Sequence, residues 1–212
     1  MSDSASQPAS ESPAFFPRAA SSAAAWCRFL TPAILGLAAD LWLKYYAFPD
    51  GVAGDVGRVG RHPGTLITDD GFMSNAPQQI IPNILGFTTT VNRGAVFGFA
   101  QGMVFYFLIF SLFAMALILW VFITSKRSQW VVHIALGMIT AGALGNLYDR
   151  AMFGGVRDML KLMFIQWNGR DYYPYIFNIA DVMLCVGVPL LMICWFAAGL
   201  EDRRSKEKLI SP

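Results

Sequence analysis

The sequence predicts a mainly α-helical membrane protein of four transmembrane helices, and two observations carry that prediction. Apolar residues make up 55% of the 212-residue chain and charged residues only 14%, a balance too apolar for an ordinary water-soluble domain. Phe29–Phe48, Met103–Thr124, Trp130–Tyr148 and Tyr175–Leu200 are each long enough to cross a bilayer core, which takes about 20 predominantly apolar residues. Too little chain remains for a second, soluble domain. The expected organisation is a disordered cytoplasmic tail over 1–25 and a four-helix membrane domain over 26–200, with an outer loop inserted at 49–92. A basic cytoplasmic tail over 201–212 completes the chain.

The net charge of +2 says little about partners, and no basic patch suits nucleic acid. Cys27, Cys185 and Cys194 form neither a disulfide framework nor a metal spacing and read as small packing residues. Orientation follows from basic residues in short loops and tails. Lys126 and Arg127 lie between the second and third spans, and Arg203, Arg204, Lys206 and Lys208 follow the fourth. The outer loops also carry Arg58, Arg61, Arg93, Arg150, Arg157 and Arg170, so the raw bias is small; the short loop and the tail decide, and both termini are expected inside.

Residues 1–25 are rich in Ser and Ala and lack the charged start and apolar core of a signal peptide. In the first span Asp40 and Lys44 stand four apart, on one helix face. Ionisable groups in a span usually pair inside the bundle, so a self-neutralised pair or a tie to the loops is favoured over an ion path. The outer loop is glycine-rich to Gly64, turns β-like from Thr65, and holds its clearest strand at Phe87–Val91. That strand runs into Asn92 and Gly94. An amide there can meet a peptide backbone, and a glycine lets that backbone come close. A plain strand-to-helix turn is the alternative.

The second span is apolar all round and reads as scaffold. Gly137, Ala141, Gly142 and Gly145 in the third allow close helix packing in lipid. His133 is expected at the interface. Asn146 and Arg150 share a helix face; Asp149 points elsewhere and reads as a cap or a surface ion pair. The Gly154-Gly155 turn then delivers Asp158. A loop with Trp167, Tyr172, Tyr173 and Tyr175 suits the membrane interface, and Asn168-Gly169 signals a tight turn. Asn178 and Asp181 share a face of the fourth span. Asp181 is expected about six residues into that helix, roughly 9 Å along it.

The inventory narrows the chemistry. A zinc site is improbable with two histidines, His62 and His133, far apart and no His-Glu-x-x-His. No serine has a Gly-x-Ser-x-Gly setting, and no cysteine has a base. Asp158 and Asp181 remain. Two close carboxyls share a proton, so one acts as base on water while the other is the acid. The competing reading makes Asp158 a helix-end cap and Asp181 a buried partner of Arg150 or Lys44. A transporter or proton conductor using Asp40, Lys44 and Asp181 is the alternative function, and a non-catalytic scaffold is a third. The lack of an inverted repeat and the clustering of acids at one face disfavour transport.

Asp40-x-x-x-Lys44, Val91-Asn-x-Gly-Ala-x-Phe97, Gly145-Asn-Leu-x-Asp-Arg150, Gly155-Val-x-Asp158 and Phe177-Asn-x-Ala-Asp181, in this order on four spans, resemble the motifs of the bacterial lipoprotein signal peptidases, also called signal peptidase II. The resemblance covers about residues 30–198. It implies four-helix intramembrane aspartic peptidases of the inner membrane, with a small extracytoplasmic β-cradle and a mobile segment over a site near the outer face. It implies diacylglyceryl-prolipoprotein substrates, cut just before the lipidated cysteine, and inhibition by globomycin-type cyclic peptides. It makes Asp158 and Asp181 the catalytic dyad. Asn92, Gly94, Asn146, Arg150 and Asn178 become substrate contacts or supports for the dyad, and Asp40 and Lys44 structural. No metal or other cofactor is expected, and the working form is expected to be a monomer in membrane lipid. The chain departs from the family in a longer N-terminal tail, a longer glycine-rich first outer loop and a slightly expanded Asp158–Asp181 connection.

Overall fold

The computed structural model describes residues 18–48, 78–92, 104–164, 166–167, 170–171 and 175–210. Four helices form: α1 (Ala23–Ala47), α2 (Val104–Thr124), α3 (Trp130–Phe153) and α4 (Ile179–Ile210). By length and apolarity α1, α3 and α4 can each cross a membrane; in α2 the qualifying run, Ile109–Thr124, is shorter. Large apolar side chains such as Leu35, Trp42, Phe113 and Phe196 point outward. In a water-soluble protein such surface would be anomalous, and on a spanning helix it faces lipid.

Helix α3 is central and packs against α1, α2 and α4. Its glycines explain why. A Cβ at Gly137 would strike the Phe29 carbonyl oxygen of α1, and one at Gly142 would strike the Ala180 carbonyl oxygen of α4. The expected small-residue packing is thus present on two opposite contacts. At the other end of the bundle Phe29 and Phe122 stack at 4.6 Å, with Trp26 edge-on to Phe122 at 4.7 Å.

Described structure lies within both segments expected to be tails. A 3-10 turn at Ala19–Ser21 docks on the α2–α3 connection through the Ala19 amide and the Ser125 carbonyl, 2.9 Å apart. Ser22 then caps α1, its hydroxyl accepting from the Ala25 amide. The described residues therefore begin at Arg18, inside the segment 1–25. At the other end α4 continues to Ile210, so the basic segment extends the helix. His133 is fully buried, with Nε2 3.0 Å from the Ser125 hydroxyl. Cys27 and Cys185 are exposed, whereas Cys194 packs partly against the core.

A four-stranded antiparallel sheet sits at the far end of α3, in the order β1 (Gln78–Ile81), β2 (Leu85–Asn92), β3 (Val156–Leu162), β6 (Ile176–Phe177). β4 (Gln166–Trp167) and β5 (Arg170–Asp171) pair antiparallel as a separate two-stranded sheet; the expected Asn168-Gly169 turn lies outside the described residues. β2 contains the strand predicted at Phe87–Val91. β3 was not predicted: its partners lie some 70 residues back and 15 ahead in the chain, and its sequence lacks a β-branched run. Of the expected β-like run from Thr65, the part from Gln78 on forms β1 and β2; residues 65–77, the glycine-rich loop and Gly94 lie outside the described residues.

Candidate active site

Three local devices bring the site together. First, α3 ends on Gly154 at φ +69°, a left-handed cap suited to glycine. The chain reverses there and enters β3, which presents Asp158. Second, β2 and β3 shift register between Phe87/Leu160 and Thr90/Asp158. Thr88 and Thr89 thus oppose Met159 alone, a β-bulge immediately beside Asp158. Third, β6 pairs with β3 and leads directly into Asn178, the N-cap of α4.

Alternation sorts the sheet's two faces. Thr90 lies opposite Asp158 and Asn92 opposite Val156, so Asn92 shares the face of Asp158. Arg157 and Met159 belong to the other face. Met159 packs there with Ala47 and Phe48 at the end of α1.

Asn178 is the hub. Its Oδ1 accepts from the Asp181 amide at 2.9 Å, and its own amide donates to Asp181 Oδ2 at 3.2 Å. This is a capping box with aspartate in the third helical position. Its Nδ2 donates to Asp158 Oδ1 at 2.6 Å and lies 3.2 Å from Asn146 Oδ1. Asn146 Nδ2 in turn donates to Asp181 Oδ1 at 2.8 Å. Two asparagine amides therefore bridge the two carboxyls. Asp181 sits in the first turn of α4, not six residues in, because β6 and the cap occupy the residues assigned to helix.

Asp158 is 3% exposed. Burial pushes its carboxyl well above the usual carboxylate range, and the charge of Asp181 pushes it further; the Asn178 hydrogen bond opposes both. Arg150 donates to the Asn146 carbonyl at 3.3 Å, and its charge acts on Asp181 and Asp158.

A buried ion network lies behind the bridge. Lys44 Nζ is 2.8 Å from Asp40 Oδ2 and 3.2 Å from Asp149 Oδ2. It also donates to Asn146 Oδ1 at 3.3 Å, which fixes that amide with its nitrogen toward Asp181. Asp40 Oδ1 accepts from the Ala180 amide at 2.8 Å, so α1 also holds the start of α4. Asp40 and Lys44 form the expected pair, and the Asp40 contact reaches a helix, α4, and not a loop.

Asp149 was expected as a cap or a surface ion pair. It is fully buried, bound by Lys44 and by Arg157. It follows Gly145 by four residues, which turns it toward α1; that spacing was the available signal. Arg157, its other partner, carries no comparable signal in the sequence.

Among the predicted residues, Asp158, Asp181, Asn146, Asn178 and Arg150 converge. Asn92 shares the sheet face of Asp158, and Gly94 lies outside the described residues.

Comparison with known proteins gives a consistent result. The family described as Signal peptidase (SPase) II, Peptidase_A8, matches residues 33–197. The lipoprotein signal peptidase of Desulfitobacterium hafniense is 33% identical over 142 residues, covering 67% of this chain and 87% of the relative. That of Latilactobacillus sakei is 41% identical over 121 residues, 57% of this chain and 73% of its own. A solved structure described as a bacterial membrane enzyme, obtained by the in meso method at 2.3 Å resolution, superposes with a TM-score of 0.59 at 26% identity. It covers 83% of this chain and 89% of its own.

Proposed function

This chain belongs to the signal peptidase II family, and from that premise we propose that it removes signal peptides from prolipoproteins by aspartic catalysis at Asp158 and Asp181. The observation that carries the reading is the asparagine bridge, which ties a buried carboxyl to a second one through hydrogen bonds of 2.6–3.2 Å. Nothing in a plain helix cap calls for two buried amides aimed at two carboxyls.

The proposed roles follow from the environments. Asp158 holds the proton, because burial and the neighbouring charge favour its neutral form. Asp181 accepts N–H donors at both oxygens and acts as the base. It takes a proton from water as the oxygen attacks the scissile carbonyl carbon. Asp158 gives its proton to the carbonyl oxygen. As the tetrahedral species collapses, the C–N bond breaks, Asp181 gives its proton to the leaving amine, and one of the two hydroxyls returns a proton to Asp158 as the carbonyl re-forms. Asn146 and Asn178 are positioning residues in this scheme. Asn92, Gly94 and Arg150 are the proposed substrate contacts.

The substrate is a prolipoprotein whose cysteine already carries diacylglycerol, cut just before that cysteine. Support comes from the names of the relatives and from the location of the dyad at the ends of two apolar helices, where a lipid chain and a peptide bond are both within reach. The site faces the outer side of the inner membrane, with both termini cytoplasmic, and globomycin-type peptides occupy it. Transport is disfavoured, because Asp40 and Lys44 are spent on each other, on Asn146 and on the Ala180 amide.

The reading is tested by giving purified protein a synthetic prolipoprotein peptide with and without diacylglycerol on its cysteine. Mass spectrometry should find a single cut before the cysteine in the lipidated peptide only. Cleavage elsewhere, or equal cleavage of both peptides, contradicts it. Excess chelator should leave the rate unchanged.

A further inference from the structure

The family motif Gly155-Val-x-Asp158 leaves position 157 open, and this chain fills it with arginine. Arg157 is 4% exposed. Burying a guanidinium is costly unless every donor is used well, so its contacts call for an explanation.

Arg157 grips Asp149 three times. Its backbone amide donates to Asp149 Oδ2 at 2.9 Å, and Nε and Nη2 donate to Oδ1 at 3.2 and 2.7 Å. The guanidinium also lies 4.3 Å from the ring centroid of Phe153, the last residue of α3. One residue thus fastens the first turn of β3 to the end of α3 by backbone, charge and ring face. The next residue is Asp158, on the opposite face of the same strand.

The charges are balanced in pairs. Asp40 and Asp149 face Lys44 and Arg157. With Arg157 on Asp149, Lys44 remains within reach of Asn146 Oδ1, and Asn146 holds Asp181. Arg157 therefore touches both arms of the site: Asp158 through the peptide bond, and Asp181 through Asp149, Lys44 and Asn146.

We propose that Arg157 is a positioning residue for the dyad, holding Asp158 from behind its strand and keeping Lys44 on the Asn146 amide. This rests on the aspartic reading above. A residue that only stabilised the fold would change protein level or melting temperature and leave the turnover of folded enzyme alone.

The test compares wild type, Asp158→Asn, Arg157→Met and Arg157→Lys in bilayer discs on the lipidated peptide, with rates normalised to folded protein. Arg157→Met keeps the bulk and removes the charge. Its kcat should fall about 10- to 100-fold, the scale of a small misplacement of a reacting group, with KM changed less than about twofold.

Its pH profile should move as well. Asp158 is surrounded by Asp181 and Asn178 of α4, Asp149 and Arg150 of α3, and Lys44 of α1. Removing a cation from Asp149 leaves more negative charge beside Asp158, so the basic limb should shift to higher pH. Arg157→Lys keeps the charge but loses the fork. Its limb should stay in place while kcat still drops.

An Arg157→Met enzyme with unchanged kcat and unchanged limb overturns the assignment. If that variant is missing from the membrane, an Arg157→Lys enzyme with wild-type kcat overturns it. Loss of both variants from the membrane makes Arg157 a folding residue and also overturns it. A wild type that cleaves while Asp158→Asn does not keeps the peptidase reading intact whatever Arg157 does. A wild type that cleaves nothing overturns both.

Discussion

Asp158 is a buried carboxyl hydrogen-bonded through one oxygen to a neutral amide, and its raised pKa has a consequence for stability as well as for chemistry. A carboxyl whose folded pKa lies above its unfolded value binds more proton folded than unfolded. Stability then falls as pH rises from the unfolded value through the folded one. Asparagine imitates the neutral carboxyl and accepts the same bond from Asn178. Asp158→Asn should therefore match wild type in melting temperature at low pH and exceed it increasingly toward alkaline pH. Thermal unfolding in detergent across a pH series checks this; a variant that melts lower at every pH would make the carboxylate a structural anion. Residue-level reasoning singled out both aspartates and both asparagines, which the fold brings together, because each stands beside a local signal, a glycine turn or a helix start. It missed Arg157, since nothing in Val-Arg-Asp tells which of two adjacent polar side chains faces the site until the strand is known.

Helix α3 holds the molecule together through glycines, and Gly145 is the one nearest the site. A Cβ there would run into the Asp40 carboxylate and approach Ala180 at 3.2 Å. Gly145→Ala must displace the Asp40 carboxylate or push α1 or α4 away, and overpacking of this kind costs about 1–3 kcal/mol. It should lower the melting temperature and also the cleavage rate, because Asp40 holds Ala180 and Lys44 holds Asn146. A variant of unchanged stability and rate would contradict the close approach. Asn178→Ala removes the cap, worth about 1 kcal/mol, and with it the hydrogen bonds to Asp158 and Asn146. Activity should fall far more than stability, which rate and melting measurements on one preparation separate. The helices were legible because long apolar runs need no partner to be recognised. β2 was legible from its β-branched row. β3 and β6 were not, since each is a strand only by virtue of pairing with distant chain. The depth of Asp181 was misjudged for the same reason: Ile176 and Phe177 look like helix when the sheet edge they serve is unseen.

The whole molecule is a helical bundle with a polar network under a small sheet at one end and a basic helical extension at the other. α4 has 32 residues, about 48 Å at about 1.5 Å per residue, against a hydrocarbon core of about 30 Å. Its last turns, with Arg203, Arg204 and Lys206 exposed, therefore lie beyond the bilayer. Basic flanks stay inside, so the sheet should lie outside. A membrane-impermeant maleimide added to intact cells should label Ile84→Cys, exposed in the β1–β2 turn, and spare Ser205→Cys; the reverse pattern would invert the topology. The central claim is that two carboxyls joined by two asparagines form one catalytic unit. Members of such a unit are not additive, so losing one should cost about as much as losing both. The direct measurement is cleavage of the lipidated peptide by Asp158→Asn, Asp181→Asn and the double variant, each quantified as folded protein in the membrane. All three should be present at wild-type level and slower by a similar factor, about 10²–10⁴-fold. Either single variant retaining most of its turnover would contradict the account.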